Sequence, residues 1–254
     1  MPESLFIRRE HCPGCRSSRS STLLASDFLA SPLKAFLEAF YSAQGTIELQ
    51  CLEGETYELD ECSDCSLIFQ RNIPNTVLTE ILYERWINPD KAREQYFQRN
   101  DFKRRCFYAE EVMMLVQFLQ TSASTLSLLD FGMGWGTWCL MAKAFGCDVY
   151  GMDLSEARAR HGREQGINVI AWADLSGRQF DFINAEQVFE HIPDPLATLR
   201  HLCGSLKPSG LIKLSVPDGS DIKRRLRVLD WSAPPESGNS LNPVHPLEHH
   251  SCPN

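Results

Sequence analysis

The chain has 254 residues, 43% of them hydrophobic and 23% charged, and a formal net charge of −8. This composition excludes a disordered or fibrous protein, and the length accommodates one large domain or two of ~100–200 residues. The negative balance disfavours a nucleic-acid backbone as partner, and no stretch reaches the ~20 apolar residues of a membrane helix; a small-molecule or protein acceptor, no membrane partner and a cytoplasmic location are therefore expected.

In chain order, the first chemistry-bearing residues are Cys12 and Cys15, answered by Cys62 and Cys65 in a second C-x-x-C. Each pair brings two thiolates to one side of a tight turn, and two such turns complete a tetrahedral sulfur site for structural zinc. A redox pair is disfavoured because neither begins the helix of a strand–helix–strand unit. Cys51 stands as an alternative ligand or as a core thiol. Between the pairs, 31–40 reads as a helix with Leu33, Phe36, Leu37 and Phe40 on one face, and 46–59 alternates as a hairpin about Glu53-Gly54.

Pro74 closes this small domain, 77–86 begins a helical bridge, and Asn88-Pro89-Asp90 starts another helix. Phe102, Cys106, Ala109, Met113 and Val116 then recur at steps of three and four, which predicts a core-facing helix to about 119. Tyr83, Trp86, Tyr96, Phe97 and Phe107 crowd this bridge, and packing accounts for each of them singly.

The stretch 128–138, Leu-Leu-Asp-Phe-Gly-Met-Gly-Trp-Gly-Thr-Trp, reads as a buried strand that breaks into a glycine-rich turn and opens a helix. A doubly wound sheet receives nucleotide-like ligands at such a place. A helix closed by Gly146 follows, then a strand at 148–153, a helix capped by Ser155, and strands at 168–172, 180–184 and 211–216. After Pro217 come a polar helix at 221–231 and a Pro- and Ser-rich loop, without a strand pair. The expectation is a sheet of about five parallel strands with 211–216 at an uncovered edge, which the tail, an oligomer or a partner would cover.

The spacing D-x-G-x-G-x-G from Asp130 to Gly136 resembles motif I of class I S-adenosylmethionine-dependent methyltransferases. The likeness continues through the acid Asp153, Phe180-Asp181-Phe182-Ile183-Asn184, Glu190-His191-Ile192-Pro193-Asp194-Pro195 and Leu206-Lys207-Pro208-Ser209-Gly210, about 126–217 in all. It implies a Rossmann-like α/β methyltransferase sheet with S-adenosyl-L-methionine as cofactor. Asp130 would hold the methionine ammonium, and Gly132, Gly134 and Gly136 would leave room for the carboxylate. Asp153, followed by Leu154, would take the ribose, Asp174 would sit at the adenine, and Glu186 and Gln187 would lie beside the methyl group.

The two cysteine pairs resemble the zinc-binding amino-terminal domain that precedes certain class I methyltransferases, including sugar C-methyltransferases. That resemblance implies a zinc domain at 1–75, a helical bridge at 76–121 and the cofactor domain at 122–254. It also implies that Pro246-Leu247-Glu248-His249 enters the acceptor pocket, with His249 as base oriented by Glu248, and with His191 as a second candidate that is either catalytic or structural. A nucleotide-linked sugar or other glycan precursor is the expected acceptor. Two rivals remain. One is an RNA methyltransferase using the basic residues of 99–105 and 223–227, although Asn184-Ala185-Glu186-Gln187 does not match the motif of enzymes that methylate base amines. The other is a non-catalytic cofactor-binding module, which the short carboxyl-terminal part would suit.

Overall fold

The computed structural model describes residues 4–99, 102–235 and 237–253. Its contacts divide the chain into one unit of 1–92, 190–196 and 216–254 and another of 93–189 and 197–215.

The first unit begins with β1 (Phe6–Arg8), β2 (Ser20–Asp27), α1 (Leu33–Ser42), β3 (Thr56–Cys62), β4 (Ile68–Gln70), β5 (Asn72–Pro74) and α2 (Thr76–Ile81), which runs into a π turn at Leu82–Trp86. The expected hairpin at 46–59 does not form. Leu49–Leu52 is a 3-10 turn, and β3 pairs antiparallel with β2 from Ser20↔Cys62 to Asp27↔Thr56. The alternation at 56–62 was genuine, but its partner lies upstream in the weakly patterned Ser20–Asp27, and Gly54, at φ 75°, follows the 3-10 turn instead of joining two strands. α1 presents Leu33, Leu37 and Tyr41 to a core that also holds Phe28, Tyr57 and Trp86.

Trp86 is entirely buried. Truncating a buried tryptophan costs about 3–5 kcal/mol in lost transfer and cavity terms. Trp86→Ala should therefore lower the denaturant midpoint of this unit markedly.

The second unit carries most of α3 (Pro89–Arg99), then α4 (Phe102–Leu119), β6 (Ser127–Phe131), α5 (Thr137–Ala144), β7 (Asp148–Met152), α6 (Glu156–Glu164), β8 (Asn168–Val169), β9 (Phe180–Glu186), most of α7 (Pro195–Cys203) and β10 (Leu206–Ser215). Its five strands are all parallel in the order β10-β9-β6-β7-β8. This is the Rossmann-like methyltransferase sheet that the motif spacing implies. β6 is central, with Asp130 level with Gly151 on one side and Asn184 on the other. β8 is shorter than predicted because Trp172–Leu175 closes into a 3-10 turn. β10 begins earlier than predicted, with a register shift between Leu206 and Leu211 at the proline turn, and it lies at the sheet's edge.

The buried face of α4 is Tyr108, Val112 and Leu115, not the predicted set. Phe102 is 81% and Met113 44% exposed. Apolar residues surround this helix, so steps of three and four fit more than one register, and sheet packing selects the register that seats Tyr108 and Val112 beside Leu128, Trp138 and Phe182.

The tail returns to the first unit as α8 (Ile222–Val228) and β11 (Ser251–Cys252). β11 pairs antiparallel with β4, giving the sheet order β11-β4-β3-β2. Ile222, Trp231, Leu241, Val244 and Leu247 join the core of that unit, so the segment read as a polar tail supplies core residues.

Candidate cofactor site and cysteine centre

Three left-handed glycines shape the turn after β6: Gly132, Gly134 and Gly136 have φ of 75°, 56° and 76°. They do different things. A Cβ on Gly132 would drive into the Val188 side chain and one on Gly136 into Ile167, so those two permit packing. At Gly134 a Cβ would meet nothing within 4 Å, so the backbone is open there for close approach by a ligand.

Two acids flank this loop. Asp153, just past β7, accepts from the Gly134 N–H at 2.9 Å and the Ser155 N–H at 2.9 Å, and Arg158 lies 3.7 Å away. It therefore ties the glycine loop to the start of α6, whose Ser155 makes no side-chain cap of its own. Asp130 is buried at the end of β6, where its Oδ1 accepts from Asn184 Nδ2 at 2.9 Å and its Oδ2 from the Cys139 thiol at 3.5 Å. Burial raises its pKa to about 7, against the opposing pull of those two hydrogen bonds.

Leu154 is fully exposed beside Asp153. Asp174 accepts from the Ala171 N–H at 3.0 Å and so braces its own turn, while the exposed face next to it belongs to Trp172, which stacks on His201 at 4.4 Å. Glu186, at the carboxyl end of β9, is paired with Lys213 at 3.1 Å and lies 3.4 Å from the Tyr108 hydroxyl. Lys213 also pairs with Glu111, whose other oxygen accepts from Trp138 Nε1 at 2.8 Å. Burial lowers the lysine's pKa, but the two carboxylates outweigh it and hold the ammonium above its ordinary value. Gln187 has φ 55° and turns towards β10, its N–H donating to the Ser215 carbonyl at 2.7 Å. Asp130, the glycine loop, Asp153, Glu186 and Gln187 thus gather at the carboxyl ends of β6, β7 and β9.

Sequence reading missed Lys213, Tyr108, Glu111 and Trp172. The one available signal was a lone lysine within the apolar run of β10.

In the other unit, Cys12 Sγ lies 3.6 Å from Cys65 Sγ and Cys15 Sγ 3.5 Å from Cys62 Sγ, and all four sulfurs fall within 4.8 Å of one another. Four thiolates around a tetrahedral zinc at ~2.3 Å stand about 3.8 Å apart, so the set fits that ion. The Asp64 N–H donates to Cys62 Sγ at 3.4 Å, orienting one ligand. Cys51 is not in the set.

The same unit holds the three expected catalytic residues, in an unexpected arrangement. The Glu248 carboxylate accepts from the Tyr41 hydroxyl at 2.9 Å, so that carboxylate is engaged by the tyrosine, and burial raises its pKa to about 7. The carboxylate grouped with His249 and His191 is instead that of Glu190. Burial, reinforced by His191, lowers the pKa of His249 to about 3. So low a value makes a weak general base at neutral pH. His249 is buried, whereas His191 keeps a partly solvent-facing side chain, at 31% exposure.

Among the described residues, no helix is long and apolar enough to cross a membrane. Residues 97–250 match the family model described as a methyltransferase domain. The chain belongs to this methyltransferase-domain family.

Curated relatives of this methyltransferase domain include the ubiquinone biosynthesis O-methyltransferases of Methylococcus capsulatus, 31% identical over 113 residues, and Bordetella pertussis, 30% identical over 112 residues. Each match takes in 39% of this chain and 48% or 46% of the relative, so the chain spans about half the length of the curated relatives it matches. Among solved structures, the plantazolicin methyltransferase BpumL in complex with SAH is 19% identical, with a TM-score of 0.44, over 60% of this chain and 62% of the other. Streptomyces venezuelae DesVI is 19% identical, with a TM-score of 0.39, over 50% and 56%.

Proposed function

We propose that the protein binds S-adenosyl-L-methionine at the carboxyl ends of β6, β7 and β9 and transfers its methyl group to a small-molecule acceptor. The observation that carries this reading is the Asp130–Gly134–Asp153 arrangement, an open left-handed glycine between two carboxylates at adjacent strand ends. Bound there, the cofactor supplies an electrophilic methyl group on a sulfonium centre. The protein's part is orientation. Asp130 pairs with the methionine ammonium, Asp153 accepts from the ribose hydroxyls, and Glu186, fixed by Lys213 and Tyr108, presents a carboxylate at the reacting end.

A small-molecule acceptor is supported by the ubiquinone-pathway relatives and by the negative charge. The likeness of the cysteine pairs to the front domain of sugar methyltransferases supports a nucleotide-linked sugar or glycan precursor, and the thiol cluster supports structural zinc. The test is calorimetric titration with S-adenosylmethionine, followed by transfer of labelled methyl to nucleotide sugars, ubiquinone precursors and RNA. Transfer to RNA alone would overturn the acceptor class, and no binding of cofactor to folded protein would overturn the reading.

Cofactor affinity should depend on pH with a definite sign. The Asp130 carboxyl, near 7 when free, is protonated below that pH, and only its ionised form pairs with an ammonium. Affinity should therefore fall by about tenfold per pH unit below 7, with a proton released on binding at pH 6. Titration in buffers of differing ionisation heat measures that release, and Asp130→Asn should abolish it. Folding follows the same linkage: because the folded-state pKa is raised, the group's contribution to stability declines as pH rises from its ordinary carboxylate range through 7.

A further inference from the structure

The Glu190 carboxylate is buried, 1% exposed, and neither of its oxygens has a hydrogen-bond partner among the described residues. A carboxylate removed from water with nothing to answer it is costly, and such groups in folded proteins are paired or bind metal. Two imidazoles face it. His191 Nδ1 lies 2.8 Å from the Glu248 carbonyl, which can only accept, so Nδ1 carries the proton. In the neutral ring that leaves the lone pair on Nε2, which sits 3.9 Å from Glu190 Oε1. Donating one ring N–H to a backbone carbonyl, with the other nitrogen turned towards the ion, is how metal-binding histidines are oriented.

His249 contributes the second ring, centred 4.9 Å from that of His191, and its buried Nδ1 has no partner among the described residues. One donor atom from each of Glu190, His191 and His249 falls within 4.8 Å of the others. Two hydrogen bonds to backbone carbonyls hold the group: the His250 N–H donates to the Glu190 carbonyl at 2.6 Å, and the Gln70 side-chain Nε2 donates to the His249 carbonyl at 2.6 Å. The three residues come from two chain segments of one unit, and the part-exposed His191 gives the cluster a side open to solvent.

We propose that Glu190, His191 and His249 form a second metal site, distinct from the cysteine centre, for a borderline divalent ion of the zinc type. Two imidazoles and one carboxylate suit such an ion and not calcium or magnesium, which take mainly oxygen ligands. Bonds of ~2.0–2.2 Å would place the donors about 3.3–3.6 Å apart, a contraction of at most ~1.5 Å from a present spacing within 4.8 Å. Three protein ligands leave a tetrahedral ion one position for an oxygen donor, the pattern of reactive and not purely structural zinc sites. The site stands or falls independently of the methyl-transfer reading.

Cobalt(II) titration of the metal-stripped 254-residue chain tests it. Cobalt on four thiolates shows intense sulfur-to-metal charge transfer in the near ultraviolet, whereas cobalt on imidazole and carboxylate shows only weak visible bands. The expected result is two equivalents bound, one with each signature. Glu190→Gln and His249→Gln should each lose the second equivalent and keep the thiolate bands. His191→Gln, at the part-exposed position, should do the same with circular dichroism unchanged, which covers the case in which a buried variant fails to fold. A single equivalent carrying only thiolate bands in the wild-type protein, or a second equivalent that survives in folded His191→Gln, would overturn the site.

Discussion

Asp153→Ala should weaken S-adenosylmethionine binding by more than a hundredfold while leaving the protein folded. The carboxylate accepts one backbone N–H on each oxygen, from Gly134 and Ser155, and an ionised carboxylate has about four acceptor positions, so two remain for the hydroxyls of a ribose. Hydrogen bonds to a charged group are worth about 1.5–3 kcal/mol each, and losing two amounts to at least ~3 kcal/mol, or over two orders of magnitude in affinity. Gly134→Ala provides the matched comparison. Its left-handed φ makes any side chain strained by about 1–2 kcal/mol, but the added Cβ meets no protein atom and projects into the space the ligand would use. Gly132→Ala would collide with Val188, so it should cost stability first. Calorimetric titration beside thermal melts separates these outcomes. Affinity unchanged in Asp153→Ala would mean that the ribose lies elsewhere.

The sheet was legible because each of its signals is local. A buried parallel strand reads as a short apolar run, and the turn after β6 needs three left-handed residues, which leaves glycine as the residue to expect. Contacts that span the chain were not legible. β3 pairs with β2 instead of with its sequence neighbour, and Trp231, Leu241 and Leu247 reach the core of the first unit from a segment whose prolines and serines conceal them. In the candidate site, strand ends announce Asp130 and Asp153, but nothing near Glu186 in sequence announces that Lys213 and Tyr108 hold it. The Glu248–His249 pair shows the limit most directly. Adjacent residues in extended or turning chain point apart, so the carboxylate beside His249 in sequence goes to Tyr41, and the carboxylate beside it in space is Glu190.

Removing the metal expected at the cysteine centre should disorder the two C-x-x-C turns without dissolving the unit that carries them. Cys12 and Cys62 are each 1% exposed and cluster with Phe69 and Leu67 in a small apolar group, separate from the large core around Phe28, Tyr41, Tyr57 and Trp86. In zinc fingers, which have almost no other core, the metal supplies ~10–16 kcal/mol and folding fails without it. A unit with a second, larger core should lose less. A destabilisation of about 3 kcal/mol would shift melting by on the order of 10 °C. Cys62→Ser breaks the set at a buried ligand that also ends β3, so it should bind no zinc there and melt lower by at least as much as chelated wild type. Cys51→Ser, outside the set, should keep its zinc. Metal analysis of protein purified without chelator, read beside the melts, decides the matter. Absence of zinc from wild type, or full retention by Cys62→Ser, would show that these four thiols are not its ligands.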